Sequence, residues 1–281
     1  MKLNHITFST SSGDKRLAYW SAGSPDSERA LVCVHGLMRH SRDFDEIALA
    51  LAGTHYVVCP DLPGRGLSDW FDDPADYDPQ RYIEVLMPLL QRLHGKQVDW
   101  VGTSLGGLLG MALASQPKTM ISRLVINDIG PELPIEALQR IANYVDAPEF
   151  DTLSEVEEYL RTHYQSFQGL SDTQWARLAS YGSRAKPEGG YHLHYDPKIS
   201  NNTKAAAQAP EAIALWDLWH AIEQPCLLVH GLESDLLTHD IRQRMHDSRP
   251  DLVCLELPGL GHAPPLMTEL EVDAIVNFLQ P

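Results

Sequence analysis

The stretch Val98-Asp99-Trp100-Val101-Gly102-Thr103-Ser104-Leu105-Gly106-Gly107 sets one serine between two glycines in the order Gly-x-Ser-x-Gly. An apolar strand-like run precedes it and a helix-like run follows. A serine on a strained strand-to-helix turn has its hydroxyl pushed into a cleft, the geometry of a nucleophile elbow. Side chains at Gly102 and Gly106 would collide with neighbouring backbone there. The amide of Leu105 then lies at a helix N-terminus, aimed at a developing oxyanion. A glycine-rich turn that merely contains a serine would share these letters. A phosphate loop does not, because no lysine follows the second glycine, and the spacing is not Gly-x-Gly-x-x-Gly.

A nucleophilic serine needs a base, and the base an orienting acid. Of the 13 histidines, His262 stands in Pro258-Gly259-Leu260-Gly261-His262-Ala263-Pro264, just past the last apolar strand, where it can reach over a sheet edge. His35, in Val34-His35-Gly36-Leu37, reads as a brace for its own loop, whose Leu37 amide is a second candidate oxyanion donor. His230 ends a strand and reads as packing. His192 and His194 would share one strand face, but no third metal ligand is evident beside them. Two aspartates compete for the acid: Asp235 in His230-Gly231-Leu232-Glu233-Ser234-Asp235, and Asp128 in Asn127-Asp128-Ile129-Gly130. The 27 residues from Asp235 to His262 accommodate a helix and one strand, so Asp235 is the expected acid and Asp128 the alternative. The turn Asp61-Leu62-Pro63-Gly64-Arg65-Gly66-Leu67-Ser68 is assigned a structural role.

The elements that must position these residues are legible as short apolar runs: Leu31–Val34, Tyr56–Cys59, Val98–Val101, Leu124–Ile126, Cys226–Val229 and Leu252–Leu257. They lack strict alternation, as strands buried on both faces do. Helical faces between them include Phe44/Ile47/Ala48/Leu51, Ile83/Met87/Leu90 and Leu108/Met111/Ala112/Ser115. Strands alternating with helices predict a mostly parallel α/β sheet with helices on both faces. An opening hairpin, Leu3–Ser9 and Arg16–Trp20, is expected to turn at Ser12-Gly13-Asp14. The alternation stops after Asn127, and helices are expected at 135–145, 154–167 and 173–183, with Thr152 and Glu155 suited to capping the second. The expected division is a core over 1–129 and 213–281, with a helical cap over 130–212.

The chain has 281 residues, 22 basic against 38 acidic side chains, and a net charge of −16. Such a surface disfavours nucleic acid and anionic membranes as partners. The absence of a leader-like apolar segment and four cysteines (Cys33, Cys59, Cys226, Cys254) outside any C-x-x-C pair lead to the expectation of a cytoplasmic protein without disulfides. It is expected to be a monomer or small homo-oligomer.

Through His35-Gly36, Gly102-Thr103-Ser104-Leu105-Gly106-Gly107, Ser234-Asp235 and Gly261-His262, in the chain order Ser, Asp, His, the sequence resembles the α/β-hydrolase fold superfamily, in its capped, bacterial-esterase-like branch. Dehalogenases and epoxide hydrolases of that fold use an aspartate nucleophile, where this chain has Ser104. Haloperoxidase-like members usually carry methionine after the serine, where this chain has Leu105. Carbon–carbon-bond hydrolases usually have a more glycine-rich turn than Asn127-Asp128-Ile129-Gly130-Pro131. The resemblance implies a serine hydrolase of carboxylic esters, with a small acyl substrate and water as partners and no metal or organic cofactor; the short insertion leads to the expectation of small to medium, uncharged acyl groups. Lactone hydrolysis, carbon–carbon cleavage, and a non-catalytic ligand receptor on the same scaffold are the alternatives. The cap apolar residues Leu133, Ile135, Leu138, Ile141, Tyr144, Phe150, Phe167, Trp175, Leu178 and Tyr181 are expected mostly to pack among themselves, a minority lining the pocket. A substrate carboxylate would implicate Arg39 or Arg42 as its clamp.

Overall fold

A computed structural model describes residues 1–143 and 148–280. The first half holds β1 (Lys2–Thr10), β2 (Gly13–Ala22), β3 (Arg29–Val34), α1 (Asp45–Leu51), β4 (Tyr56–Pro60), α2 (Pro79–Gln91), β5 (Gln97–Thr103), α3 (Leu105–Ala114) and β6 (Ile121–Asn127). An insertion follows, with β7 (Glu132–Leu133), α4 (Ile135–Asn143), β8 (Glu149–Phe150), α5 (Leu153–His163), α6 (Asp172–Gly182), β9 (Ser183–Ala185), β10 (Tyr191–Leu193), α7 (Ser200–Ala206), β11 (Ile213–Ala214) and α8 (Trp216–His220). The chain closes with β12 (Cys226–Gly231), α9 (His239–Ser248), β13 (Val253–Leu257) and α10 (Glu269–Leu279).

Eight strands form one sheet in the order β1-β2-β4-β3-β5-β6-β12-β13. The first two pairings are antiparallel and β4 onward is parallel. β3 shows why its sequence does not alternate between apolar and polar. Val32 and Val34 pack into one layer of core, Leu31 and Cys33 into the opposite layer, and all four are fully buried. Parallel strands covered by helices on both faces require apolar side chains in both directions. Three cysteines are buried, Cys254 is half-buried, and all four are free thiols. Among the described residues no helix is long and apolar enough to cross a membrane.

Several expected details shift. The first hairpin pairs Thr10 with Gly13, so its turn is Ser11-Ser12, tighter than the expected one. The buried side of α2 is Tyr82, Val85, Leu86, Leu89 and Leu90, with Met87 exposed, so the true face is offset from the one chosen. α3 has no single face, because it sits in the centre of the molecule and buries residues around most of its circumference. The insertion is not purely helical. β8, β10 and β9 form a small sheet, and β7 pairs antiparallel with β11. Two-residue strands are too short to show any period in sequence. Thr152 caps α5 by accepting from the Glu155 amide, while Glu155 returns to the Asp151 amide. Tyr144 and Val145 lie outside the described residues.

Among the described residues several imidazoles are enclosed in the fold, His35, His40, His194 and His230 among them. Burial pushes His35 down to about 3 and His194 to about 4, and lowers His40 and His230 as well. An unfolded histidine takes a proton near pH 6.5, so from about 6.5 down to about 4 the unfolded chain binds protons that the folded chain refuses. Stability therefore falls as pH falls through this window. Buried Asp61 and Glu271, pushed upward by desolvation, act in the opposite direction. Thermal unfolding at pH 7 and pH 5 is expected to show a lower midpoint at pH 5, and His194→Asn is expected to shrink the difference. A difference undiminished in that variant would count against His194 as a source.

Candidate active site

Ser104 sits between β5 and α3 with φ +50°, a left-handed conformation uncommon for a side-chain-bearing residue. Its flanking glycines explain how the turn is tolerated. A Cβ on Gly102 would lie 2.2 Å from the Gly106 carbonyl oxygen, and one on Gly106 would lie 2.0 Å from that of Val34. β3, β5 and the start of α3 are thus in backbone contact, and glycine alone fits.

The Ser104 Oγ lies 3.0 Å from His262 Nε2. His262 Nδ1 lies 2.8 Å from Asp128 Oδ2, and this is the main correction to the sequence reading: Asp128, not Asp235, meets the imidazole. Asp128 directly follows β6, the strand beside the one that carries Ser104. It is fully buried and also accepts from the amides of Gly231 (2.9 Å) and Ala263 (3.1 Å) and from Ser234 Oγ (2.6 Å). Asp235 lies one residue past Ser234, with its side chain 45% exposed and paired with Arg140 of α4. Burial tends to raise the Asp235 carboxyl, but Arg140 outweighs this and holds it below the ordinary carboxylate range. An ionised Asp128 can only accept, so Nδ1 of His262 carries the proton and Nε2 is left to accept from the serine hydroxyl.

The loop after β3 is held from several sides. His35 Nε2 accepts from the Leu62 amide at 2.9 Å, so its Nδ1 carries the proton and donates to the Gly36 carbonyl at 2.7 Å. Arg39 N–H donates to the same carbonyl. With that oxygen occupied, the trans peptide turns the Leu37 N–H the opposite way. Leu37 and Leu105 both line the cavity at Ser104, and Leu105, first in its helix, has no carbonyl a turn earlier to bond. Sequence reasoning gave the Asp61–Ser68 turn a structural role but did not single out Arg65 within it. Fully buried, it donates from Nε to the Leu37 carbonyl at 2.7 Å and from a terminal nitrogen to Pro63 O at 2.8 Å and Tyr82 Oη at 2.5 Å. It also missed Asn127, which donates to Thr103 Oγ1 and to the Pro264 carbonyl, tying β6 to the His262 loop. Neither is marked by its own letters, because burial and the carbonyls that each meets arise only from tertiary packing.

The site opens into a cavity of about 780 Å³, a size suited to small molecules. Of the insertion's named apolar residues, Leu133, Leu138, Ile141 and Phe167 line it, whereas Trp175 and Leu178 are buried elsewhere. Ser166 donates to the His262 carbonyl and Gln168 to that of Gly259, so the insertion also holds the histidine loop. Arg42 pairs with Asp45 between the rings of Trp20 and Tyr181, away from the cavity. Arg39 reaches the wall but is bound side-on by Asp43. Among the described residues no three or more His, Cys, Asp or Glu side chains gather as a metal site, and the Nδ1 of His192 faces the Leu193 carbonyl.

This fold and site place the protein with known enzymes. The chain belongs to the alpha/beta hydrolase family, whose model matches residues 31–274. It is 39% identical to the 3-hydroxybutyrate-oligomer hydrolase of Cupriavidus necator, over 99% of this chain and 97% of that protein. It is 26% identical to the 2-(acetamidomethylene)succinate hydrolase of Mesorhizobium japonicum, over 87% of this chain and 86% of that one. A solved alpha/beta hydrolase from Novosphingobium aromaticivorans superposes with a TM-score of 0.85 at 33% identity, covering 99% of this chain and 98% of its own. Family and relatives together support a hydrolase.

The two aspartates separate cleanly by mutation. On a neutral ester, Asp128→Asn is expected to lower kcat by about 10⁴, because the imidazole loses its orienting acceptor. Asp235→Asn is expected to change it by far less. Steady-state kinetics of both variants checks this, and the reverse ordering would return the acid to Asp235.

Proposed function

We propose that the protein is a serine hydrolase that cleaves a small to medium carboxylic ester through an acyl-enzyme. The observation that carries this is the contact chain Ser104–His262–Asp128 at the wall of a largely apolar cavity. Ser104 Oγ attacks the ester carbonyl while its proton passes to His262 Nε2. The amides of Leu37 and Leu105 hold the resulting oxyanion. Asp128 stabilises the imidazolium without taking its proton. The tetrahedral intermediate collapses, the C–O bond to the alcohol breaks, and His262 returns the proton to the leaving oxygen. Water then attacks the acyl-enzyme by the same route and frees the acid and Ser104. Residues 130–212 act as the cap that shields this chemistry from water.

Within the ester class, we favour short oligoesters of a 3-hydroxy acid. Support comes from the Cupriavidus relative, aligned over nearly the whole of both chains, and from a cavity that suits a short chain better than a lipid. Leu133, Leu138, Ile141 and Phe167 from the insertion close its apolar side.

A fluorophosphonate probe is expected to label Ser104, and Ser104→Ala to lower kcat by about 10⁶ with the fold intact. Across p-nitrophenyl esters of increasing acyl length, kcat/KM is expected to rise by about 0.8 kcal/mol per methylene that fits and then fall. Wild-type turnover in pure Ser104→Ala protein would overturn the mechanism. A steady rise out to long-chain esters would overturn the closed pocket.

A further inference from the structure

The chain carries a charge of −16, and the wall near His262 includes the carboxylates of Glu233 and Asp235. An oligomer of a hydroxy acid ends in a carboxylate, which such a wall repels unless a cation receives it. Two arginines line the cavity, Arg39 and Arg140, and their ion pairs differ in exposure. Arg39 and Asp43 have side chains only 10% and 11% exposed, bonded side-on at 2.8 and 2.6 Å, with the guanidinium over the rings of Tyr164 and Phe167. Parting a buried pair leaves two charges out of water, so Arg39 stays committed to Asp43. Arg140 and Asp235 are 41% and 45% exposed, and an exposed pair gains little over its hydrated partners. One carboxylate can replace another there while Asp235 turns to solvent.

Arg140 also stands on the correct side of the reaction. Asp235 follows Ser234, whose hydroxyl shares the Asp128 carboxylate with His262, and the Glu233 amide donates to the Leu260 carbonyl in the His262 loop. The leaving alcohol must lie beside His262 to take its proton. In a 3-hydroxyacyl ester cleaved one unit from its acid end, that alcohol bears its carboxylate a few bonds from the ester oxygen. We propose that Arg140 is the specificity residue that receives the free carboxylate of the leaving hydroxy acid, exchanging Asp235 for it. This deepens the oligoester reading and rests on it.

The test compares cleavage of the internal ester in the 3-hydroxybutyrate dimer and in its methyl ester, where a small methyl group replaces the charge. Product analysis separates cleavage of the internal ester from loss of methanol. Wild type is expected to prefer the acid. Arg140→Gln is expected to lower the acid-to-ester ratio of kcat/KM by about ten- to hundredfold, the worth of a charged hydrogen bond. Arg140→Lys is expected to retain part of the preference, since it keeps the charge but not the fork. Asp235→Asn is expected to raise the ratio by removing the competing carboxylate. An unchanged ratio in Arg140→Gln, or no preference for the acid in wild type, would overturn the assignment. Turnover of simple esters but of neither dimer form would overturn it as well, while leaving the Ser104 mechanism standing. Failure of Ser104 to label, with no ester cleaved, would instead overturn the hydrolase reading beneath it.

Discussion

The carboxylate of Asp128 is buried beneath the site and receives four donors from the last residue of β12 and the loops that follow β12 and β13. A buried carboxylate left without donors would be costly, so these bonds are obligatory for the fold as well as available to chemistry. Gly231 and Ser234 fix the loop after β12, and Ala263 and His262 fix the one after β13. Asp128 itself adopts φ +56°, and Ala263 φ +60°. Two strained residues bonded to each other hold the imidazole over the serine, with their strain offset by the hydrogen bonds they make.

The elbow was legible from letters alone because its glycines answer a steric demand that no other residue meets. His262 was legible because a strand end and two glycines point to a reaching loop. The acid was not. β6 and β12 are neighbours, and each is followed by an aspartate near the same edge of the sheet. Spacing along the chain does not tell which carboxylate turns inward. That choice depends on which residue finds donors: Asp128 meets two amides and a hydroxyl, whereas Asp235 meets Arg140 of a helix far away in sequence. The Ser234-Asp235 pair did mark the site, but through its serine.

The parallel strands were likewise readable, since burial on both faces leaves an apolar run. The insertion was readable as helices and unreadable as sheets. Its strands have two or three residues, below the length at which alternation carries information. Arg65 belongs to the same class of hidden feature. Its importance to the Leu37 loop arises from carbonyls brought to it by tertiary packing, and a turn sequence does not record which carbonyls those are.

The pairing of Leu133 with Ile213 and of Glu132 with Ala214 joins the two ends of the insertion at one place beside the sheet. A segment that leaves and re-enters a scaffold at a single point can change in length at modest cost, because the closure entropy of the loop grows only slowly with its size. Strand register in the main sheet does not depend on what lies between those ends. The arrangement makes the insertion modular: its length and helices can change at modest cost to the sheet, provided the contacts of Ser166 and Gln168 with the His262 loop are kept.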